Sequence, residues 1–285
     1  MRPFFHFIDD GDDDSLFDNQ PYMSAGGGVA AFSPAQLTNL RIWIETDLSV
    51  TGLNDGDPIA TALDLSGLGN NMAQAVVANQ PLFRTAVLNG LPVVEFNHIS
   101  PVDGHWMTSA YSPADELTPN VTFAAVFHTV NPADSEIMLW AGDPNGNGFG
   151  TEDEISLGLG DLSGGNLIAA SYGGINQGPE SVFSPFNDGV NFHIAIGTFD
   201  QLTNDLATKN ANLNFDGAAQ ATGSGTTTNN YATYQGETWW GKPDAGGTIT
   251  RVWNGQMAAL VVCAAVLTAQ EQANLVSFWQ AKYGL

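Results

Sequence analysis

Four side chains in one stretch of the chain have the spacing of a calcium ligand set. Asp143, Asn145 and Asn147 alternate, Gly148 follows, and Glu154 stands at the twelfth position, which satisfies the pattern D-x-[DN]-x-[DN]-G-x5-E. Three features weigh against it: the flanks EIMLWAG and ISLGLG read as strands, Gly150 stands where such loops place an apolar anchor, and only two formal charges are present. A loop rich in Gly and Asn is the competing reading. Glu152, Asp153 and Glu154 are the densest carboxylate cluster nearby, but neighbours on a strand point to opposite faces, so the three read as a solvated loop and not as an acid and nucleophile pair.

The remaining polar candidates carry little chemistry by spacing alone. His6, His98, His105, His128 and His193 show no metal-binding interval, although His98 and His105 flank a Pro-Gly loop and could meet. Tyr231, Tyr234, Trp239, Trp240 and Trp253 would stack on sugar rings if exposed; on a sandwich, burial of alternate members in the core is the stronger reading. Cys263, the single cysteine, lies in an apolar run and reads as a small buried side chain.

The elements that must position these residues are nearly all strands. Period-two alternation and β-branched clusters predict strands over 41–48, 92–97, 106–111, 121–130, 136–141, 155–160, 166–172, 191–200, 211–219, 237–241 and 257–266. Val121, Phe123, Ala125 and Phe127 share one face, and Phe192, Ile194 and Ile196 share another. The 257–266 run is apolar throughout, as a strand covered on both faces requires. One helix follows. Thr268 and Glu271 form a capping box, Leu275, Phe278, Trp279 and Tyr283 fall on one helical face, and Gly284 closes it. Ser33, Pro34 and Gln36 predict a short capped turn ahead of the first strand.

Composition bounds the partners. The 285 residues include 30 acidic and 7 basic ones, a formal charge of -23. The basic residues are too scattered to grip phosphate, so nucleic acid and anionic membranes are excluded as partners. The longest apolar run is too short to span a bilayer, and the N-terminal segment is unlike a secretion signal. Residues 1–32 differ from the rest. Phe4, Phe5 and Phe7 precede an acidic run from Asp9 to Asp14, which predicts an extended arm whose aromatics bind an apolar groove on a partner with a basic rim.

From residue 33 to the end the order of motifs resembles the concanavalin A-like, laminin-G-like jelly-roll domains. LRIWIETDLSV is similar to that family's opening strand, and LDLSGLGNNMAQA to its turn, through Asp64, Ser66, Gly67, Gly69, Asn70 and Asn71. LNGLPVVEFN resembles its hairpin through Asn89, Gly90, Pro92, Val93, Val94 and Phe96, and the ending in AKYGL is also similar. The resemblance implies an all-β, two-sheet antiparallel jelly-roll sandwich with a C-terminal α-helix. The Glu-x-Asp-x-x-Glu array of glucanases on that fold is absent, so no catalytic residues and no cofactor are expected, apart from the calcium loop. Such domains are usually met outside cells. With no secretion signal visible, the expectation is a structural component of a tailed-phage or phage-like virion, in capsid or tail, that assembles with other virion proteins or as a homo-oligomer through its arm. The second reading is a carbohydrate-binding, lectin-like module that attaches to a host glycan.

Overall fold

A computed structural model describes residues 31–100, 103–113, 120–130, 136–142, 155–160, 167–172, 182–200, 208–219, 223–226, 237–241 and 253–285. The calcium-loop residues Asp143, Asn145, Asn147 and Glu154, the arm residues Phe4, Phe5 and Phe7, His6, Tyr231 and Tyr234 lie outside this set.

In chain order the elements are β1 (Leu40–Glu45), α1 (Thr46–Ser49), β2 (Thr61–Ala62), β3 (Met72–Ala73), β4 (Leu82–Leu88), β5 (Leu91–Phe96), β6 (His98–Ser100), β7 (Asp103–Gly104), β8 (Met107–Ser109) and β9 (Val121–Thr129). They continue as β10 (Glu136–Gly142), β11 (Ile155–Gly160), β12 (Leu167–Tyr172), β13 (Val182–Pro185), β14 (His193–Asp200), β15 (Thr208–Phe215), β16 (Ala218–Ala219), β17 (Gly223–Thr226), β18 (Glu237–Trp240), β19 (Gly255–Cys263) and α2 (Ala269–Tyr283).

Nine strands form one sheet in the order β16-β15-β14-β9-β19-β5-β4, with β1 also on β19 and β17 on β15. Eight form the other, β13-β12-β11-β10-β18-β8-β3-β2, and β6 pairs with β7 as a separate ribbon. Every pairing among the described strands is antiparallel. The protein is thus an all-β two-sheet sandwich with a C-terminal helix, as the order of motifs implied.

Two layers of core follow from strand alternation. Phe123, Phe127, Phe199, Leu213 and Leu260 of the larger sheet meet Met107, Leu139, Leu157, Ile168 and Trp240 of the smaller one in the space between the sheets. Ala124, Val126, Ile194, Ile196, Val261 and Cys263 face the other way and are covered by Leu275, Val276, Trp279 and Tyr283 of α2. The central strands β14, β9 and β19 are therefore buried on both faces, which is why their sequences are so poor in charge. At Gly197 on β14 an added Cβ would stand 3.0 Å from Ala170 Cβ, so a side chain there would push against the facing sheet by a few tenths of an ångström.

Local chemistry fixes the connections. The β4–β5 hairpin turns at Asn89 and Gly90, with φ of 50° and 78°, the left-handed pair that suits a two-residue turn. Asp64 works as a fold-back carboxylate: it accepts from Trp43 N at 3.0 Å, Ser66 N at 2.9 Å and Asn70 N at 3.0 Å, which ties the 64–71 turn to β1. The first strand is shorter than its sequence pattern predicts. It stops at Glu45 because Ser49 Oγ takes the Glu45 N–H (3.1 Å) and Thr46 Oγ1 donates to Ala258 O (3.0 Å), which coils 46–49 into one helical turn.

The fully buried carboxylate of Glu45 anchors α2. It accepts from Trp43 Nε1 at 3.1 Å, Trp279 Nε1 at 3.0 Å and Lys282 Nζ at 2.9 Å, and from the Tyr283 hydroxyl. Lys282 also reaches Asp47 Oδ1 at 2.8 Å. Burial, and next to it the negative charge of Glu45, hold the Tyr283 phenol well above its ordinary value, so it remains a donor. At the other end of the helix the expected capping box is complete: Thr268 Oγ1 accepts from Glu271 N at 3.2 Å and Thr268 N donates to Glu271 Oε2 at 2.8 Å. Gly284 closes the helix at φ 73°.

Candidate functional site

A groove of about 520 Å³ opens where the C-terminal end of α2 meets the larger sheet. Its floor is apolar, formed by Leu88 at the end of β4, by Ile194 of β14 and by Phe192 just before that strand. Asn191, Asp216 and Gln280 supply the polar rim, and Val190, 81 % exposed, stands at its edge.

The loop that carries Phe192 is held from two sides. Asp188 accepts from Val190 N at 2.7 Å, Asn191 N at 3.1 Å and Asn191 Nδ2 at 2.8 Å. The Asn191 side chain, followed by the two backbone amides, lowers the Asp188 pKa to about 2. On the other side the half-buried Phe192 ring packs at a tilt against His128, with centroids 5.4 Å apart and planes at 34°. His128 Nε2 lies 3.1 Å from Gly189 O, and since a carbonyl can only accept, that nitrogen carries the proton.

His193 sits directly under the rim between two carboxylates. Its Nδ1 is 2.7 Å from Asp216 Oδ2, a charge-assisted hydrogen bond, and its Nε2 is 3.4 Å from Asp188 Oδ2, an ion-pair distance without hydrogen-bond geometry. Asp216 also accepts from Ile194 N at 2.8 Å. The imidazole stacks on Phe215 at 5.3 Å and meets Phe186 edge-on at 5.1 Å. Burial pushes its pKa down, but the bond to Asp216 and the charges of Asp216 and Asp188 outweigh that and leave it above the ordinary value.

The other sequence candidates are spread over the fold. His105 is a buried acceptor: its Nδ1 takes the Asn97 N–H at 3.2 Å, while the backbone of His98 pairs with Gly104. Trp240 and Trp253 are fully buried in the core, as alternation predicted, and position 239 pairs with position 140 of β10. Cys263 is buried, and burial holds its thiol pKa far up, which rules it out as a nucleophile near neutral pH. Among the described residues no cluster of three metal-ligating side chains occurs. The sequence reading passed over Asp188 and Asp216. The one local signal, Asp188-Gly-Val-Asn191, has the form of a carboxylate turn; its partner Asp216 comes from the β15–β16 turn and is brought near only by strand pairing.

The chain matches no protein-family model and no curated protein. Solved structures do resemble it. Domain 4 of AbnA, a GH43 extracellular arabinanase from Geobacillus stearothermophilus, in complex with arabinotriose, superposes with a TM-score of 0.52 at 11 % identity, over 85 % of this chain and 100 % of that domain. A GH54 α-L-arabinofuranosidase gives 0.51 at 15 % identity over 79 % of this chain and 51 % of that one. Botulinum neurotoxin type C, which depends on interaction with two ganglioside molecules to enter cells, gives 0.53 at 8 % identity over 85 % and 51 %. The chain thus spans about half the length of the arabinofuranosidase and neurotoxin chains. At these identities the likeness defines the class of fold, a β-sandwich.

Proposed function

We propose that this chain is a carbohydrate-binding β-sandwich module that acts without catalysis, with the groove at the end of α2 as its sugar site. The observation that carries the reading is the pairing of an aromatic floor, Phe192, with a rim of amide and carboxylate groups at Asn191, Asp216 and Gln280. A sugar ring offers an apolar C–H face to stack on an aromatic side chain and hydroxyls at its edge for short polar groups. The likeness to an arabinanase domain in complex with arabinotriose, over that domain's whole length, supports the same reading. The virion role expected from the sequence has no counterpart among these neighbours, and the sugar-binding reading takes its place.

The absence of catalysis is supported by the geometry of the acidic pair. A glycosidase holds its two carboxyl groups on either side of the scissile bond, with one of them poised to give up a proton. Here the imidazole of His193 fills the space between Asp188 and Asp216, and Asp188, with a pKa of about 2, cannot serve as a general acid.

Titration calorimetry against arabinotriose, xylotriose, mannotriose and lactose tests the proposal. At least one should bind, and Phe192→Ala should weaken that binding about tenfold or more, equivalent to about 1.4 kcal/mol. Gln280→Ala, on the rim, should weaken it with no change in melting temperature. If no sugar binds, or if neither substitution changes the affinity, the groove is not a sugar site.

A further inference from the structure

We infer that the groove selects neutral glycans and rejects sugars that carry a carboxylate, such as sialic and uronic acids; this rests on the carbohydrate-binding reading above. The charges around the groove decide it. Asp216 on the rim is 43 % exposed and Asp188 caps the adjoining loop. His193 between them is only 14 % exposed, with Nδ1 hydrogen-bonded to Asp216 and Nε2 3.4 Å from Asp188. With His193 protonated, the three groups still sum to one negative charge.

Two further features act in the same direction. α2 ends at the groove, where Gln280, Gly284 and Leu285 line it, so the negative end of the helix dipole faces the bound ligand. Among the described residues no lysine or arginine lines the groove. Lys282 of the last helical turn is committed to Glu45 and Asp47, and Arg84 to Glu95 and Asp55. A carboxylated sugar would find no guanidinium or ammonium among the described residues there, and the field of a chain with a net charge of -23 adds to the repulsion. Hydroxyl groups, by contrast, find suitable partners. The side-chain amide of Gln280 makes no hydrogen bond among the described residues, and an ionised Asp216 accepts from hydroxyls as well as from His193.

The test uses the full chain and matched probes: lactose against sialyllactose, and xylotriose against its glucuronic-acid-substituted form, each titrated at low and at high salt. The neutral member of a pair should bind at least about tenfold more tightly than the carboxylated one, and the gap should narrow as salt rises. Asp188→Asn, which keeps an oxygen for the loop amides and removes one charge, should narrow the gap. Equal or tighter binding of the carboxylated members, or a gap that neither salt nor Asp188→Asn changes, overturns the inference and leaves the sugar site standing. Failure of all probes to bind overturns the carbohydrate-binding reading itself.

Discussion

His193, between Asp216 and Asp188, and Glu271, in the helix cap, give stability a pH dependence of opposite sign. The folded pKa of His193 lies above its ordinary 6.5, so its contribution is fully present below about 6.5 and is lost as pH rises through the raised folded value. Glu271 goes the other way. Burial alone would raise its pKa, but the hydrogen bonds from Thr38 and Thr268 bring it from 4.5 to about 2. Its contribution is present above about 4.5 and is lost as pH falls toward 2. Melting temperature should therefore be highest between these limits. His193→Gln should flatten the decline on the alkaline side and Glu271→Gln the decline on the acid side; melting curves against pH that stay parallel to wild type would remove these two residues from the account.

At the scale of elements, α2 links the buried face of the larger sheet to the groove. Trp279 is fully buried and donates to Glu45, so Trp279→Ala removes a large apolar side chain together with one of the donors to a buried carboxylate. The cost should be about 3–5 kcal/mol, read as a shift in the denaturation midpoint. Glu45→Ala removes the acceptor shared by Trp43 Nε1, Trp279 Nε1 and the Tyr283 hydroxyl, leaves Lys282 with Asp47 alone, and should cost about as much. Because Gln280 and Gly284 line the groove, both variants should also weaken sugar binding even where they remain folded. An unchanged midpoint in either variant would mean that the helix is held by other contacts. The helix was legible in the sequence down to its caps, since capping is local. The buried face is shifted: Val276 is buried and Phe278 is half-buried, in T-shaped contact with Phe32 at 6.2 Å.

For the whole molecule, the groove and both core layers lie within Phe32–Leu285, which forms one unit. Deletion of residues 1–23 should leave the melting temperature and sugar affinity unchanged, while any self-association or attachment to a particle through Phe4, Phe5 and Phe7 should be lost. A deleted protein that no longer folds would show the sandwich to depend on the segment before it. Millimolar calcium tests the loop at Asp143, Asn145, Asn147 and Glu154. A structural Gly/Asn-rich loop leaves the melting temperature unchanged on calcium addition, whereas a metal site raises it.

By itself the sequence determined the class of fold. Strand alternation, the Asn89-Gly90 turn, the Asp64 turn and the Thr268 cap each depend on residues a few positions apart, and such signals can be read along a chain. Other features were hidden because they depend on contacts between distant residues. Glu45 carries no local signal within the 41–48 run; its partners Trp279, Lys282 and Tyr283 close over it from 234 to 238 positions away. The rim of the groove is similar: Asp216 meets His193 across a strand pair, and Gln280 arrives from the helix. No spacing in the chain encodes that meeting. The packing of α2 on the larger sheet decides it, because only that docking brings a helix end, a strand end and a turn to one place.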